Sequence, residues 1–274
     1  MKKHLSTIIL ILVFLTGLSL LLYPTVSDYW NSFHQSRAIA TYASEVAELD
    51  SDIYDEMWAV AQDYNRRLAQ RKDPLTQSAE DLAEYEALLN IAGSGVMGYI
   101  EIPELKVSLP IYHGVDEGVL QIAVGHIPGT SLPTGGNGTH SVLSGHRGLP
   151  SAKLFTNLDL LREGDVFLLR VLDETLTYEV DQILIVEPQE VAALTIDPDQ
   201  DYCTLVTCTP YGINTHRLLV RGHRIENQAD ADAIRVTADA MQIEPVIVAP
   251  VVAAPMLLCL MLWVLLRNPK KKKR

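Results

Sequence analysis

Three side chains in this sequence have the chemistry for thiol-mediated acyl transfer: Cys208, His146 and Arg217. A thiolate attacks a peptide carbonyl far better than the neutral thiol does. An imidazole can protonate the leaving amine and then deprotonate an incoming one. A guanidinium, charged at every working pH, can donate to the oxyanion of the tetrahedral intermediate or hold the substrate backbone. With ordinary values near 8.5 for the thiol and 6.5 for the imidazole, about one molecule in a hundred carries both charges at pH 7. A neighbouring cation favours the thiolate. This chemistry needs no metal and no cofactor. No two histidines have the i, i+4 spacing of a zinc-binding helix, and no Cys-x-x-Cys accompanies them.

Short strands and turns must position these groups. Thr204-Leu205-Val206-Thr207-Cys208 is rich in β-branched residues, and alternation puts Thr204, Val206 and Cys208 on one face. Pro210, Gly212 and Asn214 then mark a turn. The chain runs extended again from Thr215, with Arg217 and Leu219 sharing a face, so a hairpin sets Cys208 beside Arg217. The hairpin alone fits a core cysteine and a surface arginine equally well, because free cysteine is commonly core. A second apolar strand, 141–144, delivers His146 into a turn flanked by Gly145 and Gly148, the kind of loop position where functional side chains sit.

Further short runs bounded by Gly, Pro and Asn predict strands at 98–103, 107–112, 165–171, 176–185, 202–208 and 215–221. Helical stretches are expected near 115–122 and 152–161. Many short strands in one unit point to a closed barrel or a sandwich.

These segments carry a resemblance. Thr204-Leu205-Val206-Thr207-Cys208 resembles the TLxTC signature of the sortases, Arg217 falls where that family has its arginine, and Ser144-Gly145-His146-Arg147-Gly148 is similar to its histidine loop. Tyr99-Ile100-Glu101-Ile102-Pro103, Leu109-Pro110-Ile111-Tyr112-His113, Gly125-His126 and Thr130-Ser131-Leu132-Pro133 resemble the pilus-type class C sortases in the same order. The resemblance implies a mainly β fold, the eight-stranded sortase-type barrel with short helices, with His146, Cys208 and Arg217 catalytic. Thr207 and Thr209, on either side of the thiol, are assigned to substrate binding.

Leu5 to Tyr23 and Val246 to Leu266 are apolar runs long enough to cross a hydrocarbon core of about 30 Å. Lys2-Lys3 precede the first, and Arg267, Lys270 to Lys273 and Arg274 follow the second. The positive-inside rule then puts both termini in the cytoplasm and the catalytic domain outside the cell membrane. A cleaved signal peptide is the other reading of the first run. Between the spans, 14 basic residues face 34 acidic ones, a formal −20, which excludes non-specific attraction to nucleic acid. Cys203 and Cys208 are five apart on one strand and point to opposite faces, so they cannot easily bridge. Cys259 lies in the second span.

After the first span, apolar residues from Ile39 to Leu68 recur every three or four positions, predicting one amphipathic helix or two in tandem. Asp73-Pro74 breaks this pattern, and Ser78 with Asp81 opens another helix through Leu89 in the manner of a capping box. In class C sortases this region forms a lid whose Asp-Pro-aromatic tripeptide covers the site. Here Asp73 and Pro74 match, and Leu75 stands in the aromatic position. The expected organisation is a cytoplasmic stub and transmembrane helix at 1–23, a helical lid region at 24–95, the catalytic barrel at 96–226, a linker at 227–245, and a second transmembrane helix with a basic tail at 246–274.

The resemblance further implies a cysteine transpeptidase of Gram-positive bacteria. It would cut LPxTG-like sorting signals of pilins between Thr and Gly, hold the acyl group as a thioester on Cys208, and pass it to a pilin lysine as an isopeptide bond. Alternatives are a membrane-bound cysteine protease with water as acceptor, or a wall-anchoring sortase using a peptidoglycan amine. A wall-anchored substrate protein would need LPxTG just before the second span, where Gln242-Ile243-Glu244-Pro245-Val246 stands instead.

Overall fold

β-branched and aliphatic residues dominate the 96–225 segment, and in the computed structural model, which describes residues 2–227 and Leu258, they form a closed sheet. Its strands are β1 (Val96–Ile102), β2 (Val107–His113), β3 (Val124–His126), β4 (Thr139–Ser144), β5 (Val166–Val171), β6 (Glu174–Val186), β7 (Asp201–Thr209) and β8 (His216–Ile225). They follow the order β1-β2-β3-β4-β7-β8-β6-β5 around a barrel, which leaves no open sheet edge. Pairs β2–β3 and β4–β7 are parallel and the others antiparallel. Inward-facing Ile100, Ile111, Leu143, Phe167, Leu169, Cys203, Leu205 and Val220 are wholly buried and fill the interior. Val142, Val206 and Leu219 form a second, smaller apolar cluster on the outer face, under the segment that follows β6.

Seven of the strands were expected from patterning. β3 was not, because three residues are too few to show an alternation. The expected helix at 152–161 is instead a loop with a short 3-10 turn at Leu158–Leu160. Its amides bond elsewhere: Lys153 N donates to Asp28 Oδ1 (2.9 Å) and Phe155 N to the His146 carbonyl (3.1 Å), while Leu154 takes a positive φ of 38°.

The N-terminal helix α1 (Lys2–Ala47) is one continuous rod with Pro24 inside it. Its apolar part is long enough to cross a membrane, and none of that stretch is buried against the barrel. The rest of the expected second span, and the linker from residue 228, lie outside the described residues apart from Leu258. The amphipathic run resolves into the end of α1 and α2 (Ser51–Ala69), which buries Ala61, Tyr64, Asn65 and Leu68, one stripe at helical spacing. Asn65 clamps the loop after β3: its amide donates to the Leu132 carbonyl and Thr134 Oγ1, both at 3.0 Å, and accepts from Leu132 N at 2.7 Å. Helix α3 (Ala79–Ala87) opens on the expected box, with Ser78 and Asp81 capping each other's backbone amides.

Candidate active site

The register of β7 and β8 makes Cys208 and Arg217 direct partners, with Thr209 opposite His216. Antiparallel partners share a face, so thiol and guanidinium both leave the barrel's outer surface, with Cβ atoms about 5 Å apart. Arg217 Nη1 donates to the turn carbonyls of His216 (3.1 Å) and Asn214 (3.4 Å), and among the described residues it makes no ion pair. His216 alternates to the other side. Cys208 and Arg217 are each half-buried, reachable but partly shielded from water.

Parallel pairing of β4 with β7 brings in the histidine. Ser144 is the partner of Val206, Gly145 N donates to the Val206 carbonyl (3.0 Å), and Thr207 Oγ1 donates to the Gly145 carbonyl (2.7 Å). His146 follows directly, half-buried, at the end of β4 beside the end of β7. The three side chains thus issue from one end of three adjacent strands. The outer cluster Val142–Val206–Leu219, with Ile127, Ala193 and Leu194 packed on it, forms an apolar floor leading to that end. Both faces of β7 are therefore apolar. That signal was present in the run Leu205-Val206 but is easily read as core alone.

Thr207 and Thr209, expected to bind substrate, are both buried, at 2% and 7% exposure. Thr207 bonds inward to Gly145, as above, and Thr209 Oγ1 accepts from Arg147 Nη1 at 3.3 Å. Asp73 Oδ2 accepts from Thr76 Oγ1 at 2.7 Å, and the Pro74 carbonyl accepts from Gln77. Pro74 and Leu75 lie over Gly129, whose positive φ of 84° and missing side chain leave them room. Gly129 sits two residues past Ile127, at the rim of the apolar floor.

One residue that sequence reasoning did not single out is Arg147. Its side chain is only 9% exposed, its Nη2 pairs with Asp159 Oδ2 at 2.6 Å, and its guanidinium lies 5.8 Å from the Tyr211 ring centre. It therefore ties the histidine loop to the β7–β8 turn. Nothing local in the sequence separates it from an ordinary surface arginine. His126 is fully buried, with Nδ1 3.0 Å from Tyr85 Oη and Nε2 2.8 Å from the Ser131 carbonyl. Burial pushes its imidazole down to about 4, so it orders the loop as a neutral ring. Burial also pushes the Cys203 thiol well up, which leaves it an inert core residue.

Comparison with known proteins agrees with this geometry. The family described as Sortase domain matches residues 100–225. Sortase D of Bacillus subtilis is 29% identical over 153 residues, covering 55% of this chain and 74% of the relative. The structure of sortase C1 from Streptococcus agalactiae superposes with a TM-score of 0.69 at 48% identity, over 70% of this chain and 100% of that one. The sortase C of Streptococcus pneumoniae, described as informative on catalysis and pilin substrate specificity, gives 0.62 at 42%, over 70% of this chain and 98% of that one. With barrel, register and identity in agreement, the chain belongs to the sortase family of cysteine transpeptidases, and class C sortases are among the structures it matches.

Proposed function

We propose that this chain is a membrane-held class C sortase that polymerises pilins, with Cys208 as nucleophile, His146 as proton carrier and Arg217 as oxyanion donor. The observation that carries the reading is the Cys208–Arg217 cross-strand pair at the end of an outward apolar floor. An extended peptide with an apolar Leu-Pro segment would lie against Ile127, Ala193 and Leu194, the partly exposed residues packed over Val142, Val206 and Leu219, and present its Thr–Gly bond to the thiol. Cys208 Sγ bonds to the threonine carbonyl carbon, and Arg217 donates to the oxyanion. The C–N bond to glycine then breaks as His146 protonates the departing amine. A pilin lysine amine attacks the resulting thioester, its proton passes to His146, and the thiolate leaves.

Residues 1–23 act as the anchor, 24–95 as the lid region and 96–226 as the catalytic domain in this reading. The lid is Asp73-Pro74-Leu75, seated on Gly129 beside the floor. The decisive test incubates the protein with an LPxTG peptide and a lysine-bearing acceptor and identifies products by mass spectrometry. The acyl-enzyme mass on Cys208 and an amide-linked product are expected. A Cys208→Ala variant that still forms the cross-link overturns the reading, and hydrolysed peptide alone makes the enzyme a protease.

A further inference from the structure

Helix α1 runs along the whole barrel, and its contacts fix which end it comes from. Just past its apolar part, Asn31 Nδ2 donates to the Ser151 carbonyl (2.8 Å), Asp28 Oδ1 accepts from Lys153 N (2.9 Å), and Gln35 Nε2 donates to the Ile122 carbonyl (2.6 Å). Ser151 and Lys153 belong to the loop that follows His146. Ile122 precedes β3, whose start lies beside the end of β4. At the other end of the helix, Tyr42 Oη donates to the Met97 carbonyl (3.0 Å) and accepts from Leu172 N (2.7 Å), at the start of β1 and just past the end of β5. The barrel end that carries Cys208 and His146 is thus the end from which the apolar part of α1 emerges.

The axial rise of a helix turns this into a height. At 1.5 Å per residue, Asp28 and Asn31 lie about 7 and 12 Å beyond Tyr23, where the apolar run stops, whereas Tyr42 lies about 28 Å beyond it. The headgroup layer on each side of a bilayer is roughly 5–8 Å thick. The surface chemistry at this level agrees. Tyr29, Trp30 and Phe33 on α1 are each more than half exposed, as interfacial aromatic belts are. On the barrel, exposed Ile122, Leu160, Ile185, Tyr211 and Ile213 also lie at this end, before β3, in the β4–β5 loop, at the end of β6 and in the β7–β8 turn. Scattered single apolar residues need no explanation, but their gathering at the end next to the membrane-crossing run does.

We propose that the Cys208 end of the barrel rests on the bilayer, with the 148–161 loop and the Tyr211–Ile213 turn lying in the headgroup layer, so that the cleft opens along the membrane surface. This rests on the reading of residues 5–23 as a retained membrane span. The partner surface is lipid. The contact is aromatic and aliphatic rather than ionic, so it needs no anionic headgroup and tolerates salt. The substrate class follows: a polypeptide segment held within the headgroup layer reaches the thiol, while a freely diffusing peptide must find a cleft shielded on the membrane side.

The test uses the full chain in phosphatidylcholine nanodiscs, with Cys208→Ser and Cys259→Ser removing the competing thiols and buried Cys203 kept. A nitroxide is placed in turn at Leu15→Cys, Leu160→Cys and Asp173→Cys, and its collision rates with oxygen and with a water-soluble nickel chelate are compared. The expected result is a Leu15 label deep in hydrocarbon, a Leu160 label at headgroup depth with several-fold less nickel contact than Asp173, and an Asp173 label in water. A deep Leu15 label with Leu160 as water-exposed as Asp173 overturns the proposal and leaves the anchor standing. A Leu15 label outside the bilayer overturns both. Shielding of Leu160 that persists in detergent and grows with protein concentration identifies a second copy as the occupant, which also overturns it. Adding Asn31→Leu should return the Leu160 label toward water by releasing the loop from α1; an unchanged label depth counts against the proposed docking.

Discussion

Cys208 and Arg217 are directly opposed residues of the β7–β8 ladder, nine positions apart in the chain and on one face of the sheet. The pairing is rigid because β8 is also held along its other edge by β6, where Val186 is the partner of Arg217. Strand geometry therefore fixes the two side chains' points of departure side by side, while the guanidinium itself donates to the His216 and Asn214 carbonyls of the turn. Replacing Arg217 by Ala should lower kcat/KM by a hundredfold or more, about 3 kcal/mol, with the urea midpoint little changed. Arg217→Lys should recover only a small part, since an ammonium lacks the planar fork. Peptide cleavage kinetics on both variants check this, and full rescue by Lys would show that charge alone matters.

Arg147 holds the histidine loop against the end of β7 through Thr209, Asp159 and Tyr211. Arg147→Ala should cost about 1–3 kcal/mol of stability, the usual range for lost hydrogen bonds to a buried charged group, and should lower kcat more than it raises KM. Asp159 is less buried, so Asp159→Asn should cost under about 1 kcal/mol. Chemical denaturation with steady-state kinetics separates the two.

Gly145 precedes His146, and a Cβ there would come within 2.6 Å of the Phe155 ring. Phe155 is itself buried, so it cannot swing clear. Gly145→Ala should cost about 1–3 kcal/mol through overpacking and should displace His146, with loss of activity at temperatures where the variant is still folded. Circular dichroism melting and acyl-enzyme yield on the same sample read the two effects.

His126 titrates at about 4 in the folded protein because it is buried, against about 6.5 in an unfolded chain. Below the unfolded value, the unfolded state binds more protons, so stability is complete above pH 6.5 and is lost as pH falls toward 4. The full loss amounts to roughly 3 kcal/mol. His140 is shifted the same way by burial and adds to it, whereas buried Asp201, shifted up, acts in the opposite sense. Urea unfolding at pH 7, 5.5 and 4.5 should show the decline. His126→Asn should show a shallower slope, whatever its absolute stability.

The proposed lid segment packs on Gly129, where an added Cβ would run into the Pro74 carbonyl and Leu75. Gly129→Ala, Asp73→Ala and Pro74→Ala should each loosen the segment and speed hydrolysis of a soluble model peptide. Unchanged rates in all three would remove the lid role. Leu75→Trp should slow the wild-type rate if apolar area over the thiol is what excludes substrate.

The sequence by itself determined which residues could react and which elements carry them. Alternation in 204–208 and the Pro210-Tyr211-Gly212-Ile213-Asn214 turn were enough to forecast the Cys208–Arg217 pair, because hairpin register is a local property. The Ser78–Asp81 cap was legible for the same reason. Contacts between segments far apart in the chain were decided only in three dimensions. The parallel β4–β7 pairing that sets His146 beside the thiol is such a contact, and so is the burial of Thr207 and Thr209. The Arg147 bridge and the route of α1 from the Cys208 end to Tyr42 are others. In these, partners lie from a dozen to more than a hundred residues apart, and side-chain type does not encode which distant backbone will arrive there.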